Sequence, residues 1–336
     1  MQLIQNTKKV EKLEIIEVLR GLAALAVTWF HLTNGNPNFL NDGWIKSSGH
    51  YGWLGVEVFF VLSGFIIPYS LWRSNFRLRF DWKKFFLKRA IRLYPAYLIS
   101  IVLIILLWYA SSLAPNFQGE KPNITLTNIL LHIGFLNGIF NESWLSPVFW
   151  TLGIEFQYYL FIIFIYPLLT NSKLIIKTVA LLVLCILPFI FSQGNLIFSW
   201  LLLFNFGIIA FQITAKKITL SQYLSALFVL IILSFFNRGI LLTSIGFITS
   251  IAIVFIQIPK IIIFSFLGEI SYSLYLLHVP IGGRVINLSS RIGQGLHIKI
   301  LSLIFALGIS VLCAYLMYKY VEKPVQKYFK TMKYVN

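Results

Sequence analysis

Apolar stretches long enough to cross a bilayer recur along the whole of this 336-residue chain, and little polar sequence separates them. Inside lipid, every backbone polar group must be satisfied within its own segment, so such stretches become helices or not at all. Ten intervals read as spans, at about 15–33, 52–71, 95–113, 149–169, 176–192, 196–213, 221–236, 240–258, 261–281 and 299–319. The chain is 58% hydrophobic and 12% charged, which a soluble fold of this length would not tolerate. The expected fold is all-α: a polytopic bundle of about ten transmembrane helices, forming one domain over residues 1–336.

The net charge of +17 suggests nucleic acid until the cations are located. They gather at the ends of apolar runs, on alternate sides. Of the 28 Lys and Arg residues, 21 fall on one side, six on the other, and Arg20 lies inside a span. The positive-inside rule makes the rich side cytoplasmic, with both termini. The expected protein is multi-pass and membrane-embedded, with no nucleic-acid partner. No cleavable signal peptide is expected, because MQLIQNTKKVEKLE is polar and the first apolar run is long and charged. Cys185 and Cys313 both sit in apolar runs, a spacing with no metal motif and no disulfide framework.

Two loops exceed a turn. Residues 72–94, basic and aromatic, are expected to form an amphipathic helix at the cytoplasmic interface. Residues 114–148 enter through PNFQGEKPN and continue as TLTNILLHIGFLNGIF, which reads as re-entrant or interfacial.

Charges inside the spans carry the functional signal, since ionisable groups there are costly and face the bundle interior. The first span reads EVLRGLAALAVTWFHL. Arg20 and His31 are eleven residues apart, hence on one helix face, roughly 16 Å apart along the axis. Ala24 and Val27 lie between them. Position leaves His31 as either a buried structural histidine or a proton carrier near neutral pH. Glu57 enters the second span at a similar depth, as an ion-pair partner or as a group orienting a histidine. Ser63–Gly64 on that helix permits close approach of another backbone. LKRAIRLYPAY places Arg89 and Arg92 three apart beside Lys88, either plain topology charge or a phosphate site. Glu155 and Tyr159 share a face of the fourth span, where Glu155 needs a partner from outside its own span. Ser271, Tyr275 and His278 form a stripe that ends in a second outer histidine, with Glu269 pointing away. By depth, Arg20, Arg89 and Arg92 lie inward, and His31, Glu57, Glu155 and His278 outward. That order suits a substrate with an anionic head inside and a reactive end outside.

In this order, RGLAALAVTWFH, GVEVFFVLSGFII, LKRAIRLYPAY, FWTLGIEFQYYL, ISYSLYLLHVP and YVEKPV resemble the acyltransferase-3 superfamily of integral membrane acyltransferases. The resemblance spans nearly the whole chain. It implies a ten-helix bundle moving acyl groups, commonly acetyl from cytoplasmic acetyl-CoA, onto sugars of surface polysaccharides or lipid-linked glycans. The family's Arg–ten residues–His motif falls on Arg20 and His31, its arginine pair on Arg89 and Arg92, and its second-helix motif on Glu57, Phe59, Phe60, Ser63 and Gly64. Glu57 stands where aspartate is frequent. The fused esterase-like domain of some members is not expected, because the sequence stops shortly after VEKPV.

On this resemblance, Arg20, Lys88, Arg89, Arg92 and Ser63 are the acyl-CoA contacts, and His31, Glu57, Glu155 and His278 are the catalytic group. The nucleotide would sit at Arg89 and Arg92 and the pantetheine arm along the Arg20–His31 face. His31 would deprotonate the acceptor hydroxyl, with Glu57 or Glu155 stabilising the imidazolium. A transient acyl-His31 is the competing mechanism. From another class, a transporter or flippase of a lipid-linked sugar would use the same charges as a pathway, but predicts repeated broken helices not found here.

Overall fold

A computed structural model of the chain describes residues 2–113, 124–291 and 295–331, with side chains between residues 14 and 328. Within them lie α1 (Gln2–Asn34), α2 (Gly55–Arg73), α3 (Leu78–Ser112), α4 (Leu126–Gly134), α5 (Phe149–Leu169), α6 (Leu174–Ile190) and α7 (Leu201–Thr214). The helical stretch Leu220–Phe255 follows, then α10 (Ile262–Leu277), a π-helical turn His278–Gly283, α11 (Arg284–Ser289) and α12 (Leu296–Met317). A second π-helical turn, Tyr318–Glu322, leads into α13 (Lys323–Thr331). No strand occurs among the described residues.

Eight stretches have the length and apolar composition to cross a membrane, and Leu174–Ile190 is a shorter apolar helix. Leu220–Phe255 counts once among the eight but is a hairpin. In a straight helix Tyr223 and Ser250 would stand roughly 40 Å apart, yet their hydroxyls meet at 3.0 Å. Thr243 likewise donates to Ser234 at 2.9 Å. Gly239 makes the turn at φ 75° and ψ 176°, a conformation almost confined to glycine. Its arms are α8 (220–238) and α9 (240–255). Ten apolar segments therefore occupy the ten expected intervals. Their outward faces stay apolar, as at Val183, Phe228, Phe236, Ile304 and Phe305, which suits lipid and not water.

One expectation fails in an instructive place. Residues 72–94 do not form a separate interfacial helix, because α3 runs unbroken for 35 residues. Asp81, Phe85, Arg89, Leu93, Tyr97 and Ile101 are all buried at four-residue intervals, so one stripe passes in phase through the supposed boundary. Pro95 lies inside the helix without ending it. The arginines are thereby carried into the bundle instead of resting on its surface.

Of the expected re-entrant segment, residues 114–123 lie outside the described residues. The remainder folds back on α3. Thr125 caps α4 by accepting from the Asn128 amide at 3.1 Å. Tyr94 and Tyr97 donate to the carbonyls of Ile133 and His132 at 2.5 and 3.2 Å. Phe135 stacks on Tyr97 at 4.6 Å.

The tightest helix contact joins α2 to α7. A Cβ on Gly64 would lie 2.1 Å from the Phe204 carbonyl oxygen, and one on Gly207 would lie 2.0 Å from that of Val61. Two helices meeting backbone to backbone need glycine on both sides, the small-residue packing common in membranes. Gly64 thus performs the close approach that Ser63–Gly64 suggests in sequence.

Candidate active site

Five of the expected residues line one cavity, the inner one on the expected topology: Arg20, Ser63, Arg89, Arg92 and Glu155, with Tyr275 at its wall. α1, α2, α3, α5 and α10 each bring one face to it. The void is about 80 Å³. Glu155 is held by Tyr159, which donates at 2.6 Å, and by Ser63 at 3.3 Å. The partner that Glu155 seemed to lack is thus one turn away in its own helix. Arg89 is buried, with its guanidinium carbon 5.4 Å from the ring centroids of both Phe85 and Tyr159. The carboxylates acting on Arg92 are Glu155, Glu322 and Glu17. Arg20 pairs with Glu17 at 3.6 Å. Three guanidinium groups thus converge on this cavity, with Glu155 in its lining and Glu17 and Glu322 acting on them from outside it.

The outer end of the site is a histidine pair. His31 Nδ1 lies 3.0 Å from the Val27 carbonyl and 3.2 Å from His278 Nε2. His278 Nδ1 lies 2.9 Å from the Leu274 carbonyl. A carbonyl only accepts, so each Nδ1 carries its proton. His278 Nε2 is then a second acceptor for the one His31 Nδ1–H, shared with the Val27 carbonyl, and in this tautomer His31 Nε2 carries no proton. His278 is fully buried, while His31 borders a second, outer cavity of about 300 Å³ with Asn36, Ser146, Arg284 and Asn287. Tyr275 stands between the inner cavity and the histidine pair. It lines that cavity, is hydrogen-bonded to Thr151 at 2.8 Å, and packs 5.9 Å from the His278 ring.

Two expected partners are elsewhere. Glu57 is buried beside Arg238, which leans over Trp200 at 4.7 Å, and it makes no hydrogen bond to either histidine among the described residues. Glu155 belongs to the inner cavity. The side chain that contacts His31 Nδ1 is His278 and not a carboxylate, since Glu155 is held by Tyr159 and Ser63 and Glu57 makes no hydrogen bond to either histidine among the described residues. Lys88 sits on α3 next to Arg89 but does not line the inner cavity. Sequence reading missed Thr151 and Tyr272, which line the cavity, and Glu322, which the VEKPV motif contains. Glu322 accepts a hydrogen bond from Ser273 and faces Arg92 and Arg20.

His132 shows what a structural histidine looks like in the same protein. Its Nδ1 meets the Asn128 carbonyl at 2.8 Å and its Nε2 accepts from the Leu145 amide at 3.0 Å. Burial holds its pKa below the ordinary histidine value. Both nitrogens are occupied, so it has no basic atom to offer.

A multi-helix bundle with arginines at one cavity and a histidine pair beside another fits the class that the motifs resemble, the integral membrane acyltransferases. A family model described as an acyltransferase domain matches residues 13–319, and the chain belongs to this acyltransferase-3 family. It is similar to ORF330 of Acidianus two-tailed virus, 29% identical over 79% of this chain and 82% of that protein. It is also similar to the peptidoglycan O-acetyltransferase OatA of Listeria monocytogenes, 30% identical over 49% of this chain and 26% of that one. Against the O-acetyltransferase OatA of Staphylococcus aureus it is 26% identical over 93% of this chain and 57% of that one. The chain thus spans little more than half of that OatA's length. No solved structure matches.

Proposed function

We propose that this acyltransferase is a membrane O-acetyltransferase, taking acetyl from cytoplasmic acetyl-CoA and delivering it to a hydroxyl of a surface or lipid-linked glycan on the outer face. The observation that carries this reading is a row of contacts between two cavities. Tyr275 of the arginine-lined inner cavity packs on His278, and His278 meets His31, which borders the outer one. The naming of relatives as O-acetyltransferases supports the acyl group and the oxygen acceptor. The reading sets the protein in a bacterial cytoplasmic membrane, as a single domain with termini inside.

Arg89, Arg92 and Arg20 bind the phosphates of the donor, and guanidinium groups do so in bidentate fashion. An inner void of about 80 Å³ is too small for a whole coenzyme, so entry of the thin acyl arm displaces aromatic side chains such as Phe59 and Tyr272. The thioester reaches the Tyr275–His278 wall. His31 Nε2 then takes the proton of the acceptor hydroxyl as its oxygen attacks the thioester carbonyl. His31 Nδ1–H, held by His278 Nε2, keeps the imidazole in the productive tautomer and stabilises its cation, the logic of an orienting group behind a general base. The coenzyme thiolate leaves and takes up a proton on the inner side, and the His31 imidazolium gives up the acceptor's proton to the outer cavity, which restores the starting tautomer.

Purified protein incubated with labelled acetyl-CoA and a glycan acceptor tests the reading. It requires coenzyme release matched by acetyl ester on the glycan. Movement of a lipid-linked sugar across vesicles without ester formation would replace it with a transporter.

A further inference from the structure

The outer cavity beside His31 holds a cation that no acid balances. Positive charge on the outer side of a membrane protein runs against the topology rule, so each such residue needs a local reason. Lys46 is paired with Asp42 at 2.9 Å. Arg238 lies over the Trp200 ring and within the electrostatic reach of the buried Glu57 carboxyl, with no ion pair between them among the described residues. Arg284, half-buried on α11, has a single hydroxyl partner, donating to Ser111 at 3.0 Å, and no carboxylate pairs with it among the described residues. A guanidinium carries five N–H donors in a fork shaped for carboxylate or phosphate.

A second feature of the same cavity points to a ligand. Ser146 is 2% exposed, lines the cavity, and its hydroxyl has no hydrogen-bond partner among the described residues. A buried hydroxyl left unmade costs free energy unless something fills it. Asn36 and Asn287, bonded to each other at 2.8 Å, add amide donors and acceptors at the rim. Hydroxyl, amides and one unbalanced guanidinium around a general base make a sugar site with an anion reader.

The geometry points to Arg284 as the residue that selects an anionic acceptor: a sugar carrying a carboxylate or phosphate close to the hydroxyl that is acylated, with Ser146 hydrogen-bonding the same sugar. This rests on the proposed O-acyl transfer for its meaning, but its recognition step is separable from the chemistry.

Equilibrium dialysis without donor reads that step alone. The probes are a glucuronic-acid-terminated trisaccharide against its neutral methyl ester, and glucose 1-phosphate against glucose. Wild-type protein is expected to prefer the anion of at least one pair by about 10–100-fold, the worth of one charge-assisted hydrogen bond. In Arg284→Gln that ratio should fall to about one, and Arg284→Lys should keep part of it. Response of the glucuronoside pair alone identifies a carboxylate on the sugar, and of the phosphate pair alone a sugar phosphate. A wild-type ratio near one for both pairs, or a ratio unchanged in a folded Arg284→Gln protein, overturns the inference. A preserved anion preference with no acyl transfer would instead count against the proposed chemistry at His31.

Discussion

His31 Nδ1 and His278 Nε2 lie 3.2 Å apart although 247 residues separate them in sequence. Each ring has its other contact fixed by a main-chain carbonyl one turn back, Val27 for His31 and Leu274 for His278. The pair therefore has a direction, with His278 accepting and His31 exposing its basic nitrogen to the outer cavity.

That direction makes His278 a positioning residue. Its lost hydrogen bond to a developing imidazolium is worth about 1.5–3 kcal/mol, so His278→Ala should lower kcat by roughly 10–100-fold. The KM for either substrate should change little. His278→Gln, whose amide oxygen still accepts, should recover part of the loss. Equal effects of the two substitutions, or a change confined to KM, would show that His278 merely fills space.

Arg92→Ala removes one guanidinium from the inner cavity. Donor affinity should fall by one to two orders of magnitude, following the same charge-assisted bond. Isothermal calorimetry with acetyl-CoA measures it. Unchanged affinity in a folded variant would leave Arg92 as a structural partner of Glu155 and Glu322.

Both termini and the 72–94 segment should face the cytoplasm. A cysteine introduced at Ser74, in the turn after α2, should resist an impermeant thiol reagent in intact cells and react after permeabilisation. Labelling in intact cells would invert the topology and the donor site with it.

Much of this arrangement is legible in sequence, because the depth of a residue along a spanning helix follows from its distance to the ends of the apolar run. The ten intervals and the placing of Arg20 and His31 at opposite ends of one helix face come from that reasoning, and the close contact at Gly64 comes from residue size. Pairing across helices does not. His31 meets His278, and Ser63 meets Glu155, through tertiary packing, which no spacing within one helix encodes. The α3 error has a different cause. Charge density over 72–94 resembles an interface, yet the buried row from Asp81 to Ile101 keeps its phase, and in this bundle phase outweighs charge.

Gly64→Ala should damage the fold more than its one methyl suggests. The added Cβ would meet the Phe204 carbonyl at 2.1 Å, and a main-chain atom in a packed helix cannot rotate away. A cost of about 1–3 kcal/mol or more is expected from such overpacking. Thermal stability in detergent should drop clearly. An unchanged melting temperature would show that α2 and α7 separate at little cost.

The central claim is proton transfer at His31, and His31→Gln tests it most directly. Glutamine keeps similar size and hydrogen bonding but takes no proton at neutral pH. Turnover should fall by about 10²–10⁴-fold, the range for loss of a general base, while acetyl-CoA binding stays near wild type. Retention of more than about a tenth of wild-type turnover would place the base elsewhere.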